Sequence, residues 1–222
     1  MKEESPFSST IALTGVAAFA SAALATQFLR TDLDWVQAPL SFYLLGAYGS
    51  WLRVTYVALG VALIALGIGY YRALTPTARS GAPTLLFCMG GAALAVTAIA
   101  RSWTPGDPPA LEHFIHGLAA STAFLCTTTA MLLQSWRLRG DPAWRHRFAP
   151  AFALAAIAFI ALWTHALWHD APRGLTQKVV IALIVLWLGM AGNWLRRSRH
   201  CSSADRSALD EARRMKTGSP WA

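Results

Sequence analysis

The sequence predicts an all-α protein, a single polytopic bundle of six transmembrane helices with both termini cytoplasmic. Three observations carry that prediction. Six stretches hold no formally charged residue: 5–29, 54–71, 80–100, 117–136, 148–169 and 179–195. A spanning helix needs about 20 predominantly apolar residues, with roughly 17–25 tolerated. In lipid every backbone amide must be satisfied within the chain, so each stretch must be helical. Second, 55% of the 222 residues are hydrophobic and only 14% charged, against roughly 25% charged in soluble domains. Third, alternate loops differ in charge. One side, with both ends of the chain, holds 14 Lys and Arg residues, and the other holds 5. Positive residues stay cytoplasmic, which sets the orientation and points to a bacterial cytoplasmic (inner) membrane.

Taken in order, the first stretch follows Met-Lys-Glu-Glu, which carries no net positive charge. Its apolar run exceeds the roughly 7–15 residues of a signal peptide, so it is read as a retained span despite the small residues Ala23-Leu24-Ala25. The second stretch has an unusual lead-in, 39–53, that combines Gly46 and Gly49 with Tyr43, Tyr48 and Trp51. That segment is too apolar for a free loop and is expected to fold down as a cap over the bundle. In the second and third stretches, Gly60, Gly67, Gly69 and the pair Gly90-Gly91 would let helices approach closely. Cys88 and Cys126 fall near the middles of the third and fourth stretches, and Cys201 lies in the tail. Such cysteines pack as small hydrophobes. The sixth stretch closes a single domain over 1–195, and 196–222 forms a basic cytoplasmic tail. The net charge of +8 resides in short loops and that tail, which reads as topology rather than as a nucleic-acid surface. Membrane lipids are the expected partners.

Polar residues gather at the outer face. His113 and His116 open the fourth span, His165 and His169 close the fifth, and the spacings of three and four put each pair on one helix face. Glu112, Asp107 and Asp170 lie nearby in sequence. Three arrangements fit. Histidines from both helices with a carboxylate would hold zinc or another divalent metal, whose bound water attacks an ester or phosphoester. Haem would instead be held by His116 and His165. The third arrangement is hydrogen-bonded interfacial histidine without a metal, beside Trp103, Trp163 and Trp168. In the lead-in, Arg53 is a candidate clamp for phosphate or carboxylate, with Ser41 and Tyr43 as hydrogen-bond donors. A structural cap explains the same residues. Gln177 and Lys178, at the entrance of the sixth span, are further candidates for substrate binding, although Lys178 can snorkel. The midplane carries mainly Thr, Ser and Cys, such as Thr97 and Thr127-Thr128-Thr129, whereas transporters gather polar groups there.

Four motifs together resemble a bacterial and archaeal integral membrane family catalogued as a domain of unknown function, number nine-nine-eight. They are Leu40-Ser41-Phe42-Tyr43-Leu44-Leu45-Gly46 with Gly49 and Trp51, Thr104-Pro105-Gly106-Asp107-Pro108, Ile115-His116-Gly117-Leu118-Ala119-Ala120, and Gly174-Leu175-Thr176-Gln177-Lys178. The resemblance implies a six-helix bundle with Ser41, Asp107, His116 and Gln177 at family-like positions, and it implies no activity. Lys178 stands where the family leads one to expect Arg. His113, His165 and His169 match no family feature, which favours His116 acting with Asp107, Ser41 or Lys178. The alkaline ceramidase and progestin-receptor-like hydrolases offer a looser likeness, since they too gather His, Asp and Ser near one membrane face, but on seven spans.

The leading functional expectation is therefore a hydrolase or transferase acting on a lipid or isoprenoid-linked substrate, with His116, Asp107 and Ser41 as catalytic candidates. The alternatives are a non-enzymatic protein, either a small transporter or a lipid- or partner-recognising subunit, and a haem electron carrier.

Overall fold

The computed structural model describes the backbone of residues 7–217 except 103, 105, 107 and 109, and side chains from residue 8 to residue 198. Six helices follow one another: α1 (Phe7–Leu29), α2 (Gly49–Ala73), α3 (Gly81–Ile99), α4 (Leu111–Leu138), α5 (Phe148–Leu167) and α6 (Arg173–Thr217). Each is long and apolar enough to cross a membrane, and there is no strand among the described residues. Helices adjacent in sequence pack side by side, and α6 closes the ring against α1 while also touching α2.

Three helices, α2, α4 and α6, begin earlier than the uncharged stretches. Arg53 lies in the first turns of α2, His113 in the first turn of α4, and Arg173 begins α6. A charge at the headgroup level does not end a helix, because the side chain can snorkel to water. Absence of charge marks the hydrocarbon segment, not the helix. At the other extreme, α5 stops at Leu167, two residues short of the expected stretch. The expected domain boundary at 195 falls inside α6, whose spanning part reaches Ser198 and whose backbone stays helical to Thr217.

Close packing at the α2–α3 crossing depends on the glycines the sequence singled out. A methyl group on Gly60 would sit 2.6 Å from the Gly91 carbonyl oxygen. Small residues at such a crossing let backbones meet where lipid supplies no hydrophobic drive. Two buried ring groups are satisfied across the core: Trp187 Nε1 donates to Ala151 O at 3.0 Å and the Tyr70 hydroxyl to Ala191 O at 3.0 Å.

The two ends of the bundle differ. At the end carrying loops 74–80 and 139–147, polar side chains are committed to backbone. Arg137 donates to the carbonyls of Ala78 (2.7 Å) and Arg79 (3.1 Å). The buried Asp141 carboxylate accepts from the amides of Thr75 (2.9 Å) and Ala143 (3.0 Å). At the opposite end, loop 30–48 folds back over the helices as a cap. Its centre is a 3-10 turn, Leu40–Leu44, in which Leu40, Tyr43 and Leu44 are buried.

Candidate functional site

The cap is fastened to the start of α6. Gly174 N donates to Gln37 O at 3.1 Å and Leu175 N to Val36 O at 2.8 Å. Leu40 N donates to Gln177 Oε1 at 2.8 Å, and Lys178 Nζ donates to Trp35 O. Only glycine permits this approach, since a Cβ on Gly174 would lie 2.5 Å from Ala38 O and 2.7 Å from Val36 O. From the other flank, Arg30 pairs with the Asp32 carboxylate (2.8 and 2.7 Å) and reaches the Leu45 carbonyl. That pairing raises the Arg30 guanidinium above its ordinary value and holds the Asp32 carboxyl below its own.

Under the cap, a cavity of about 570 Å³ runs into the bundle. Its deep walls are apolar, with Phe19 of α1, Leu59 and Leu63 of α2, and Ile184 and Leu188 of α6. Its upper wall is polar and includes Ser41, His116, His165, Arg173 and Gln177. Thr97 and Thr127 line it between.

Two histidines stand on the polar wall. His116, only 6% exposed, places Nδ1 2.9 Å from Ala100 O, the carbonyl that ends α3. A carbonyl only accepts, so Nδ1 carries the proton and Nε2 the lone pair. His165 Nδ1 lies 2.7 Å from Thr176 Oγ1, whose hydroxyl lies 3.0 Å from Pro172 O. Arg173 O also lies 3.3 Å from that hydroxyl, and its one proton can go to a carbonyl or to Nδ1, so either ring nitrogen of His165 can carry the imidazole proton. Neighbouring polar groups are linked in a chain. Arg173 donates to His165 O (3.4 Å), Thr176 joins His165 to the first turn of α6, and the Gln177 carbonyl oxygen is fixed by Leu40 N. This leaves the Gln177 amide nitrogen to donate. Ser41, the next residue, accepts from the buried Ser102 hydroxyl at 3.4 Å.

The cavity thus gathers Ser41, His116, His165 and Gln177 from the sequence candidates. The others lie elsewhere. Tyr43 is fully buried beneath the cap, its hydroxyl without a partner and raised above its ordinary value by burial, and its ring sits 5.2 Å from Lys178 Nζ. It lies in the cap's interior. Lys178 serves the cap through Trp35, and Arg53 does not line the cavity. The four-histidine metal arrangement is not formed. Among the described residues no three His, Cys, Asp or Glu side chains group closely enough to hold a metal ion. His113 does not line the cavity. His169 lies past the end of α5, exposed, with Nδ1 bonded to Leu167 O, so the helical spacing of four that paired it with His165 does not extend to it. Asp107 lies outside the described residues. Sequence reasoning missed Arg173 as a cavity residue, although its spacing of four from Gln177 would have put both on one face of α6. Arg30, the flank support of the cap, carried no local signal.

The family described as "Protein of unknown function (DUF998)" matches residues 13–193. The chain belongs to this family. The match begins within α1 and ends within α6, so every residue lining the DUF998 cavity, from Phe19 to Leu188, lies inside it. No curated protein and no solved structure matches the chain.

Proposed function

We propose that this DUF998 protein takes up an amphipathic molecule from the membrane, holding its chain between the helices and its head group under the cap. The observation that carries the reading is the division of one cavity into an apolar depth and a polar rim of His116, His165, Arg173, Gln177 and Ser41. Ligand pockets are typically apolar with a few convergent polar groups, and ionisable residues kept inside a membrane protein mark function by default. The charge asymmetry supports placing the cap on the outer side of a bacterial cytoplasmic membrane. The test is solvent extraction of purified protein followed by mass spectrometry. Wild-type protein should release a near-stoichiometric amphiphile, and Ala120→Phe, which fills the cavity from α4, should release none while melting as wild type does. Equal release from both proteins would refute the reading.

A catalytic second reading, as a lipid- or isoprenoid-directed hydrolase or transferase, is favoured by the presence of both His116 and His165 on the cavity wall. Either imidazole would take a proton from a water or from a hydroxyl such as that of Ser41. His165→Gln separates the readings, since a binding protein keeps its ligand and an enzyme keeps it unconverted. The absorption spectrum of the same preparation decides the haem arrangement, in which the Nε2 atoms of His116 and His165 would be ligands.

A further inference from the structure

We infer that the cavity selects a lipid with a single chain and a phosphate head, admitted sideways between α4 and α5. The inference rests on the uptake reading above and narrows it in three respects.

The first is the route. Gly117, Ser121 and Leu125 of α4 and Trp163 of α5 line the cavity and are also exposed on the lipid-facing surface. Nothing lies within 4 Å of where a Cβ on Gly117 would stand. The cavity therefore meets the bilayer through a doorway in the helix wall, while the cap and its four links to α6 close the way from water.

The second is capacity. At about 570 Å³ the cavity falls within the roughly 300–1,000 Å³ of pockets that enclose one drug-sized ligand, which is the scale of a single chain with its head and not of a two-chain phospholipid.

The third is the head group. No Asp or Glu among the described residues lines the cavity, and Arg173 supplies a permanent cation at its rim. Arg173 spends one nitrogen on His165 O, which leaves the rest of its planar fork for a phosphate. Gln177 contributes its amide nitrogen and Ser41 its hydroxyl. Nε2 of His116 can only accept while that imidazole is neutral, and a phosphate monoester, with its second pKa near 6, still carries a proton to give it in part of its population. A carboxylate offers two oxygens where a phosphate offers three. The main-chain amides at the start of α6 are already bonded to the cap, so side chains must do this work.

The test is a competition series on purified protein in phosphatidylcholine nanodiscs, read by native mass spectrometry. The probes are hexadecyl phosphate, hexadecanoate, hexadecanol, dipalmitoyl phosphatidate and inorganic phosphate. Hexadecyl phosphate should bind at least about tenfold more tightly than each of the others, a discrimination typical of one good charge-assisted pair. Arg173→Ala should lose that advantage over hexadecanol. Gly117→Leu should slow the entry of hexadecyl phosphate without lowering the melting temperature, because replacing glycine favours the helix. Equal binding of phosphatidate overturns the single-chain claim. Equal binding of hexadecanoate or hexadecanol overturns the phosphate claim, and competition by inorganic phosphate at equal concentration marks a soluble-ion site instead. Binding of none of the lipids, with the protein still folded, overturns the uptake reading itself.

Discussion

Gly174→Ala tests whether the cap is held in place by its seam with α6. The added methyl would meet Ala38 O at 2.5 Å and Val36 O at 2.7 Å. Both are backbone atoms, so relief requires the whole segment to move and not merely a side chain to turn. Four hydrogen bonds cross that seam, from Gly174 N, Leu175 N, Leu40 N and Lys178 Nζ. A typical hydrogen bond contributes about 1 kcal/mol net, so losing three costs about 3 kcal/mol. Alanine returns about 1 kcal/mol of helix propensity, which leaves a net loss of about 2 kcal/mol. The control is Gly189→Ala on the same helix, where a Cβ meets nothing within 4 Å and stability should hold or rise. Thermal unfolding in detergent reads the first effect. The second readout is the labelling rate of Leu45→Cys by a membrane-impermeant thiol reagent, with the native cysteines replaced. Gly174→Ala should melt lower and label faster, and Gly189→Ala should do neither. If Gly174→Ala matches wild type in both, the seam is not what holds the cap.

The remaining predictions address other contacts. Acidification should loosen the cap at its Arg30 flank. Asp32's carboxyl is held below its ordinary value by Arg30, so its contribution is complete above the ordinary Asp range and lost as pH falls through the lowered value. Labelling at Leu45→Cys should therefore rise at acid pH in wild type, and the rise should be absent in Asp32→Asn. Gln134→Met should raise the melting temperature, because the buried Gln134 Nε2 has no partner and an unsatisfied buried donor costs about 1–3 kcal/mol; a lower melting temperature would show that the amide is satisfied. Gly91→Ala should destabilise by more than the ~1 kcal/mol that helix propensity returns, since its Cβ meets the Gly60 carbonyl, and thermal unfolding in detergent checks it. Topology reporters at Gly140 and Gly218 should signal from the cytoplasm and one at Asp170 from outside; a periplasmic signal at Gly218 would reverse the orientation.

The six spans were legible because exclusion of charge from hydrocarbon is nearly absolute, whereas the starts of α2, α4 and α6 were not, because charge is tolerated at the interface. Residue character foretold the cap only in part. Leu40, Tyr43 and Leu44 are buried, but Tyr48 and Trp51, read as part of the same cap, are each 51% exposed. Within the cavity, His116, His165, Gln177 and Ser41 were visible as polar residues at the edges of apolar runs. Arg173 was hidden by its own charge, which the topology count absorbed. The link from Lys178 to Trp35 spans 143 residues and leaves no local pattern. His169 shows the opposite failure, a helical spacing read across a helix end.

His116 shows how structural and functional roles combine in one residue. The C-terminal carbonyls of a helix lack partners within the helix, and at the rim of a membrane bundle an unmet one is costly. His116 meets that need at Ala100, which ties α3 to α4 beneath the cap. A serine or threonine hydroxyl would satisfy the carbonyl as well. Imidazole differs in that satisfying the carbonyl through Nδ1 forces a lone pair onto Nε2, on the opposite side of the ring. His165 bonds instead to a side chain, the Thr176 hydroxyl. His116 therefore turns backbone repair at one helix end into an acceptor on the cavity. At the other end of the bundle, Arg137 and Asp141 bond to backbone amides and carbonyls and do not line this cavity. That contrast between the ends supports the proposal that the cavity beneath the cap is the functional site.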